Sequence, residues 1–292
     1  MELTNKTKVM IVGLGLMGGA YAISLSKQGF DVHCIARRQE TIDYALEHGY
    51  ISEGFTEPTK ENLGWADLIV IGLYPKAFIE WMEKYSSLIK DGTLITDVTG
   101  IKEYVVYKVQ KMLGDRCEFI PAHPMAGREK SGIENATDEI FKNANYIVTP
   151  TEKNTEQGIK CCIALGHILG FARVSVLDPK KHDEMIAFLS QLTHILAVSL
   201  MTAVSDESIC DYTGDSFRDL TRIGRLNDEM WSELFLLNRD ALLMEMNKFE
   251  IEFNKMKEYL ITNNREEMRN MMRESTKRRA LFDDRNLRHK GE

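Results

Sequence analysis

The chain has 292 residues, of which 43% are hydrophobic, and a formal net charge of -7. This length is typical of two domains of ordinary size, and the acidic balance disfavours a nucleic-acid-binding protein. The five cysteines include no C-x-x-C pair, which disfavours a disulfide framework or a zinc site and fits a reducing compartment. The first residues run directly into a strand-like segment, so we expect no secretory signal and a cytoplasmic protein without a metal.

Strand-like and helix-like segments alternate over the first 177 residues. Helices are predicted at 16–28 and 39–47, where apolar side chains recur at helical spacing. Such alternation predicts an α/β Rossmann fold, in which a mostly parallel, doubly wound sheet is covered on both faces. The predicted strands are residues 8–12, 32–35, 68–73, 94–98, 119–122, 146–148 and 172–177.

The chain changes character after Asp178-Pro179, where no further strand is predicted. Long segments of helical period follow, and residues 227–260 form either one long helix or two. We therefore predict a dinucleotide-binding domain at 1–177 and a helical substrate-binding domain at 178–292. Because the second domain is rich in Met, Leu and Phe and joined without a flexible linker, it is also predicted to form a homodimer.

The stretch 185–205 contains no Asp, Glu, Lys or Arg and is long enough to cross a bilayer. It nevertheless carries seven polar side chains, among them Gln191 and His194, which are costly in lipid. A helix surrounded mostly by protein is the better interpretation, so no membrane association is predicted.

A glycine loop follows the first predicted strand and opens the first predicted helix. Its pattern, Gly-x-Gly-x-x-Gly, binds dinucleotides only in this strand–loop–helix setting. The first glycine permits the tight turn, the second lets the backbone approach the pyrophosphate, and the third allows close packing of helix on strand. The helix N-terminus offers free N–H groups to the phosphates. The predicted cofactor-binding residues are Gly13, Leu14, Gly15, Leu16, Met17 and Gly18.

The end of the second strand bears on the choice of cofactor. An acidic residue usually stands there when the cofactor lacks a 2′-phosphate, but this chain has Ala36-Arg37-Arg38. Guanidinium groups suit a phosphate, so Arg37 and Arg38 favour NADP, with NAD as the alternative. The two arginines would otherwise only cap a solvated strand end.

A histidine follows the strand predicted at 119–122. The segment 120–127 reads Ile-Pro-Ala-His-Pro-Met-Ala-Gly, so prolines flank His123 and restrict its loop. The carboxyl ends of strands in open α/β sheets face the ligand crevice. His123 is therefore a candidate to accept a proton from a substrate hydroxyl, with a purely structural histidine as the alternative.

Further motifs occur in order along the chain. With the glycine loop, they resemble the prephenate dehydrogenase family of tyrosine biosynthesis, which includes arogenate and cyclohexadienyl dehydrogenases. The resemblance extends over nearly the whole chain and implies a Rossmann domain followed by an all-helical domain that dimerises. The motifs are His123-Pro124-Met125-Ala126-Gly127, His182-Asp183, Ser190-Gln191-Leu192-Thr193-His194-Ile195-Leu196-Ala197, Phe217-Arg218-Asp219-Leu220-Thr221-Arg222-Ile223, and Asn227-Asp228-Glu229-Met230-Trp231 with Asn238.

The reaction implied by the resemblance is an oxidative decarboxylation. A cyclohexadienol loses its hydroxyl proton and a hydride, and loss of CO₂ then gives an aromatic phenol. By resemblance, His123 bonds and deprotonates the hydroxyl, His194 binds substrate beside the nicotinamide, and Arg222 pairs with a substrate carboxylate. The alternatives are a hydrogen-bonded core histidine for His194 and a surface ion pair for Arg222. The other implied site residues are Glu129, His182, Arg218 and Asp219 at gating and subunit-boundary positions, and Trp231 in the pocket lining.

The loop after the strand at 94–98 departs from the family pattern. Many family members carry a serine there that bonds both the histidine and the substrate, whereas this chain has Gly100. Thr99, one residue earlier, would supply a hydroxyl to the substrate if the loop shifts. Lys102 is expected to pack in the loop rather than to react.

Three alternatives are kept open. The substrate is prephenate or arogenate, which no residue decides. A non-catalytic NADP-sensing Rossmann protein would keep Gly13 and Gly15 but lack the catalytic base. A β-hydroxyacid dehydrogenase would need a lysine on the charge-free helix, which has none.

Overall fold

The computed structural model describes residues 2–127 and 130–288, with side chains described to residue 282. The chain divides into two compact units, Met1–Ala241 and Leu242–Glu292. All strands of the described residues lie in the first unit, before residue 177, and every later element is helical. The strands therefore end where the domain boundary was predicted, at 177/178. That the boundary separates two domains remains a prediction.

A parallel sheet of six strands forms the centre of the N-terminal part, in the order β3-β2-β1-β4-β5-β6. The order reverses between β1 and β4, and ligands of open α/β sheets bind in the crevice at such a reversal. The strand β3 was not predicted, because its three residues are too short and too exposed to produce a recognisable pattern. The strands are β1 (Lys8–Val12), β2 (Asp31–Ile35), β3 (Glu53–Phe55), β4 (Leu68–Ile71), β5 (Leu94–Asp97) and β6 (Glu118–Phe119).

Helices cover both faces of this sheet, as alternate residues of β1 illustrate. Val9 and Ile11 belong to one buried cluster, and Met10 and Val12 belong to the other. Successive side chains of a strand point to opposite faces, so a fully apolar strand needs cover on both sides. The helices are α1 (Leu16–Lys27) and α2 (Gln39–Glu47) on the first face, with α3 (Lys60–Trp65), α4 (Pro75–Tyr85) and α5 (Glu103–Leu113) on the second.

A second, three-stranded sheet follows, in the order β7 (Ala122–Met125), β8 (Asn145–Val148) and β9 (Arg173–Val176), with α6 (Glu156–Ile168) between β8 and β9. The single strand predicted at 119–122 is wrong, because β6 ends at Phe119 and β7 begins at Ala122. Pro121 has no N–H to donate, and its carbonyl accepts from Thr149 N–H at 2.8 Å, so the chain passes from one sheet to the other here. His123 therefore lies on a strand rather than after one.

Helices make up the rest of the first unit: α7 (Pro179–Ile186), α8 (Thr193–Thr202), α9 (Asp215–Thr221) and α10 (Asp228–Leu237). A π-helical turn, Ala187–Leu192, joins α7 to α8. The helix α11 (Arg239–Ile261) begins in this unit, and α12 (Arg265–Arg288) belongs to the second. The segment 227–260 thus contains two helices, which are separated at Asn238.

The run Pro179–Thr202 has the length and apolar composition of a membrane span, with 28% of its most apolar window buried. Its polar Gln191 is only 1% exposed, and the Gln191 Nε2 donates to the carbonyl of Leu234 on α10 at 3.0 Å. This hydrogen bond joins the run to a neighbouring helix, so it forms a core helix. The helix is only partly buried, whereas the sequence predicted one surrounded mostly by protein.

Candidate active site

The glycine loop lies at the carboxyl end of β1, beside the strand-order reversal. Gly13 adopts a φ of +93°, and a Cβ there would lie 2.7 Å from the Gly72 carbonyl oxygen. A Cβ at Gly18 would lie 1.9 Å from the Gly13 carbonyl oxygen, whereas one at Gly15 would have no atom within 4 Å. Two glycines are therefore required by packing, and the third borders open space at the N-terminus of α1. This geometry fits a dinucleotide pyrophosphate, which needs close backbone approach and unpaired N–H groups.

The three other residues of the loop, Leu14, Leu16 and Met17, carry apolar side chains. Leu14 is buried in the core and Met17 packs against it, while Leu16 begins α1. The side chains of Leu14 and Met17 anchor the loop, and Leu16 is half-buried at the start of α1. The loop can therefore present the backbone of Gly13 and Gly15 to a cofactor.

Arg37 and Arg38 follow β2, which is hydrogen-bonded to β1 along its whole length. Both side chains are exposed, and Ala36 before them is buried. Within the residues that the structure describes, neither guanidinium forms an ion pair with a carboxylate. The carboxyl end of β2 therefore offers two cations and no carboxylate immediately after the strand.

A buried ion pair lies beneath the loop after β5. The Lys102 Nζ is 2.8 Å from one carboxylate oxygen of Asp97 and 2.9 Å from the other, and both side chains are fully buried. Lys102 also donates to the Ala122 carbonyl, while the Ala122 N–H donates to Asp97 at 3.1 Å. Burial lowers the pKa of Lys102 and the adjacent carboxylate opposes that shift. The pair fixes the backbone immediately before His123, and Lys102 packs in the loop as expected.

The hydroxyl of Thr99 belongs to the same network. It hydrogen-bonds to the Asp97 carboxylate and lies 3.0 Å from the Ile101 carbonyl oxygen. Thr99 is 3% exposed, so the structure directs its hydroxyl into the loop rather than toward His123. A Cβ at Gly100 would instead lie 3.7 Å from the His123 Nε2, which leaves room for a small group beside that nitrogen.

His123 projects from β7 toward α7 and is half-buried. Its Nδ1 is 2.9 Å from the Nε2 of His182, and the two rings meet edge to face. Burial lowers the pKa of His123 well below its usual value, and the nearby His182 and Lys102 add to this effect. The ring is therefore neutral near neutral pH and can accept a proton.

His182 and Asp183 lie on α7 and have exposures of 0% and 2%. The His182 Nδ1 is 2.7 Å from Asp183 Oδ1, and burial lowers the pKa of His182 well below its usual value. The Asp183 carboxylate also accepts the backbone N–H groups of Lys102 and Glu103, each at 2.9 Å, at the start of α5. Burial raises the pKa of Asp183 to about 6. His182 is thus a buried partner of His123, whereas the family resemblance implied a gating or subunit-boundary position for it.

His194 lies on α8, and its ring stacks on Trp231 of α10 with centroids 3.7 Å apart. Its Nδ1 is 2.7 Å from the Ser190 carbonyl oxygen, so Nδ1 carries the proton that this bond needs. Leu234, one turn after Trp231, would lie 3.8 Å from a Cβ at Gly100. Helix α10 therefore brings the pair His194–Trp231 to the same side of the sheet as Gly100 and His123.

Buried amides hold α10 in this place. Asn238, at the end of the helix, donates to the Asp183 carbonyl and to Gln191 Oε1, each at 2.9 Å. Gln191 lies in the π-helical turn before His194, and such turns are frequent at functional sites. These amides connect the helices that carry His182, His194 and Trp231.

The remaining predicted residues lie farther along the helical part. Arg222 is exposed in a short turn, Arg222–Gly224, that packs on α8. Arg218 and Asp219 are exposed on α9, where Arg218 bonds to the Thr213 carbonyl and the Asp215 carboxylate. The structure shows no contact of Arg218 with the residues around His123 within the described range. Glu129 lies outside the described residues.

Besides Lys102, four residues of this network were not predicted as site residues, namely Asp97, Asp183, Gln191 and Asn238. Each is a polar residue within an otherwise apolar or motif-bearing segment, and each is less than 9% exposed. Asp183, Gln191 and Asn238 each belonged to a recognised motif, and this was their sequence signal, whereas Asp97 stood in the strand predicted at 94–98. Their hydrogen bonds join positions far apart in the chain, so sequence alone could not reveal them.

Comparison with known families gives two matches that together span most of the chain. Residues 21–172 match the family model described as prephenate dehydrogenase, nucleotide-binding domain. Residues 178–274 match the model described as prephenate dehydrogenase, dimerization domain. The last strand, β9, lies between the two models, and the second model begins with the helical part.

Individual relatives agree with these matches. A prephenate dehydrogenase of Bacillus subtilis is 30% identical over 98% of this chain and 78% of its own length. A cyclohexadienyl dehydrogenase of Zymomonas mobilis is 25% identical over 96% of this chain and 98% of its own. The crystal structure of Aquifex aeolicus prephenate dehydrogenase, in complex with hydroxyphenyl propionate and NAD+, superposes with a TM-score of 0.87 at 28% identity. That superposition covers 97% of this chain and 100% of the other.

Proposed function

This chain belongs to the prephenate dehydrogenase family, and from that membership we propose that it converts prephenate to 4-hydroxyphenylpyruvate and CO₂ with reduction of a nicotinamide dinucleotide. The observation that carries the proposal is the position of His123. Its ring is half-buried and neutral, with Nε2 next to the open position at Gly100. A base is required there because the substrate hydroxyl must lose its proton as the ring carbon loses a hydride.

In the proposed reaction, the carbon that bears the hydroxyl loses a hydride, and a nicotinamide cofactor held at the glycine loop would supply its acceptor. His123 Nε2 takes the hydroxyl proton, which leaves a ketone. Loss of CO₂ from the opposite ring carbon then returns the electrons to the ring and its oxygen. His123 gives the proton back to that oxygen, and the phenol is complete. The side chains mainly have to position substrate and cofactor, since aromatisation makes the reaction strongly downhill.

The remaining site residues are assigned by position. We assign substrate contact to His194 and Trp231, because their stacked rings form a flat apolar wall with one polar edge. Arg222 is assigned to a substrate carboxylate, because it lies beside α8 and a guanidinium pairs with planar anions in bidentate fashion. Glu129, Arg218 and Asp219 are proposed only by family resemblance, and Thr99 supports the loop.

For the cofactor, the glycine loop and the N-terminus of α1 would hold the pyrophosphate. We propose NADP as the preferred cofactor, with NAD also used, because Arg37 and Arg38 are exposed beside the end of β2 and Ala36 takes the acidic position. The Aquifex aeolicus relative has NAD+ bound, so the two cofactors must be compared directly. Replacing both arginines by alanine should raise the KM for NADP roughly tenfold and leave that for NAD nearly unchanged. Equal effects on both cofactors would contradict the assignment.

The assembly is proposed to be a homodimer in the cytoplasm. The helical part matches the dimerisation domain of the family. In the first unit, α9 and α10 expose Leu220 at 57% and Leu236 at 68%, which are large values for leucine side chains. In the second unit, Phe253 is exposed at 61%. Exposed apolar side chains on several helices are typical of an interface between subunits.

The proposed function is tested by following reduction of NAD and of NADP at 340 nm (the absorbance band of the reduced cofactors) with prephenate and with arogenate. We expect turnover with prephenate. Turnover with arogenate alone would change the substrate but keep the reaction, and the arogenate side chain carries an amine where prephenate has a keto group. Reduction of neither cofactor with either substrate, in an assay where a relative is active, would refute the proposal.

A further inference from the structure

A buried chain of three side chains runs behind His123, away from the open side of the ring. Asp183 contacts His182, and His182 contacts His123, through hydrogen bonds of 2.7 and 2.9 Å. Neither Asp183 nor His182 reaches solvent, so neither can contact a substrate directly. Such a chain can act only through His123.

The backbone around Asp183 determines the direction of these hydrogen bonds. The carboxylate accepts the N–H groups of Lys102 and Glu103, and those groups can only donate. An acceptor that is held in this way requires His182 Nδ1 to carry a proton. In a neutral imidazole the other nitrogen is then an acceptor, so His182 Nε2 presents a lone pair to His123.

The same logic applies one step further along the chain. His182 Nε2 accepts, so His123 Nδ1 must donate, and the proton of the neutral ring is on Nδ1. The remaining nitrogen, His123 Nε2, then has its lone pair directed at the open position beside Gly100. The opposite tautomer would present an N–H group there and could not accept a substrate proton.

We propose that Asp183 and His182 are positioning residues that hold His123 in the tautomer whose Nε2 accepts the substrate hydroxyl proton. The role of His123 as the base rests on the proposed function, whereas its tautomer follows from the hydrogen bonds alone. When His123 becomes an imidazolium, its Nδ1–H donates to His182 and the Asp183 carboxylate stabilises the positive charge through the same chain. Position 100, where many family members carry a serine that bonds the histidine, is a glycine in this chain. His182 and Asp183 therefore provide the hydrogen bonds that hold the His123 ring.

The decisive variant is Asp183→Asn, because it changes hydrogen-bond direction with little change of shape. The oxygen of the amide is expected in the place of Oδ2, where it accepts the backbone N–H of Glu103 at 2.9 Å and that of Lys102 at 3.2 Å. The NH₂ group takes the place of Oδ1, which loses the 2.9 Å hydrogen bond from the Lys102 N–H. This NH₂ group then faces His182 Nδ1, so that nitrogen becomes an acceptor and Nε2 a donor. His123 Nδ1 must accept in turn, and its proton moves to Nε2.

The matched control is Asp178→Asn on the same helix. Asp178 is the N-cap of α7 and accepts the backbone N–H of Lys181 at 2.9 Å. Asparagine caps a helix about as well as aspartate, so this variant should behave as wild type. It removes one negative charge at α7, as Asp183→Asn does. Asp178 contacts His182 only through its backbone carbonyl, which accepts the His182 N–H at 2.9 Å and which the substitution leaves in place.

Two measurements test the proposal. The first is ¹⁵N NMR of histidine-labelled protein, in which the signals of His123 are assigned with a His123→Asn variant. Wild type should carry the His123 proton on Nδ1, and Asp183→Asn should carry it on Nε2. The second is steady-state kinetics, in which Asp183→Asn should lower kcat roughly 10²- to 10⁴-fold while the KM and the dissociation constant of the cofactor stay nearly constant.

The outcomes separate this proposal from the proposed function. A wild-type His123 with its proton on Nε2 would overturn the proposal, and this measurement does not depend on whether any variant folds. A kcat of Asp183→Asn within roughly threefold of wild type, with the tautomer exchanged, would also overturn it. A wild type that reduces neither cofactor would refute the proposed function instead, while the tautomer measurement still tests the hydrogen-bond chain.

Discussion

A methyl group added at Gly15 should weaken dinucleotide binding without destabilising the fold. The φ and ψ of Gly15 are -86° and -157°, which an alanine adopts without strain, and no atom lies within 4 Å of the added Cβ. Gly15→Ala should therefore stabilise the free protein by about 0.4–1 kcal/mol, because alanine restricts the unfolded chain.

The cost appears only when a cofactor binds. The added Cβ occupies the space through which the backbone approaches the pyrophosphate. Loss of one hydrogen bond between a backbone N–H and a charged phosphate costs about 1.5–3 kcal/mol. That energy corresponds to an increase of roughly 10- to 150-fold in the dissociation constant of the cofactor.

The assay combines calorimetric titration with NADH and NADPH and thermal unfolding of the free protein. Gly64→Ala is the matched control, because Gly64 lies in α3 and its added Cβ would also have no neighbour within 4 Å. It should gain similar stability and keep wild-type affinity. Gly18→Ala provides the opposite contrast, because its Cβ would meet the Gly13 carbonyl at 1.9 Å and should cost about 1–3 kcal/mol of stability. An unchanged cofactor dissociation constant for Gly15→Ala would refute the placement of the pyrophosphate at this loop.

Three further predictions concern His123 and its surroundings. His123→Asn should lower kcat roughly 10²- to 10⁴-fold in the spectrophotometric assay and leave the cofactor dissociation constant unchanged, and retained turnover would remove His123 from the chemistry. His123 must be neutral to act as a base, and burial lowers its pKa below the usual histidine value of 6.5. As the pH decreases, kcat/KM should therefore begin to fall only at a pH below 6.5. A fall that begins above that pH would contradict the burial of His123. Lys102→Met should destabilise the protein by about 3–5 kcal/mol in chemical unfolding, since it leaves the buried Asp97 carboxylate without its cation. An unchanged unfolding midpoint would show that the hydrogen bonds from Thr99 and the Ala122 N–H suffice to hold the carboxylate.

Local patterns predicted most of the N-terminal sheet. Strand β1 and helix α2 have the predicted bounds, and β2, β4 and β5 differ from prediction by one or two residues. These elements were recognisable because buried parallel strands are continuous apolar runs and their helices show a clear apolar face. The prediction was wrong at 119–122, where two short strands of different sheets follow one another. The apolar pattern does not change at Pro121, although the hydrogen-bonding partner does.

The helical part was predicted less completely. Composition predicted helices there, but not the break at Asn238 or the π-helical turn before His194. Both features depend on buried amides that bond across helices, as Asn238 does with Gln191. A helix interruption that depends on a tertiary hydrogen bond leaves no periodic signal in the sequence.

The sequence by itself determined the fold class, the glycine loop and the family, because each is expressed in residues that are neighbours in the chain. Gly13, Gly15 and Gly18 act within one turn, and the motif around His123 is contiguous. Only the tertiary structure showed that His182 and Asp183 lie behind His123, since 59 positions separate the two histidines in the chain. Hydrogen-bond direction along that contact depends on backbone N–H groups of α5, which no side-chain pattern encodes. The tautomer of a base is therefore a property of the folded chain, whereas the presence of a histidine is a property of the sequence.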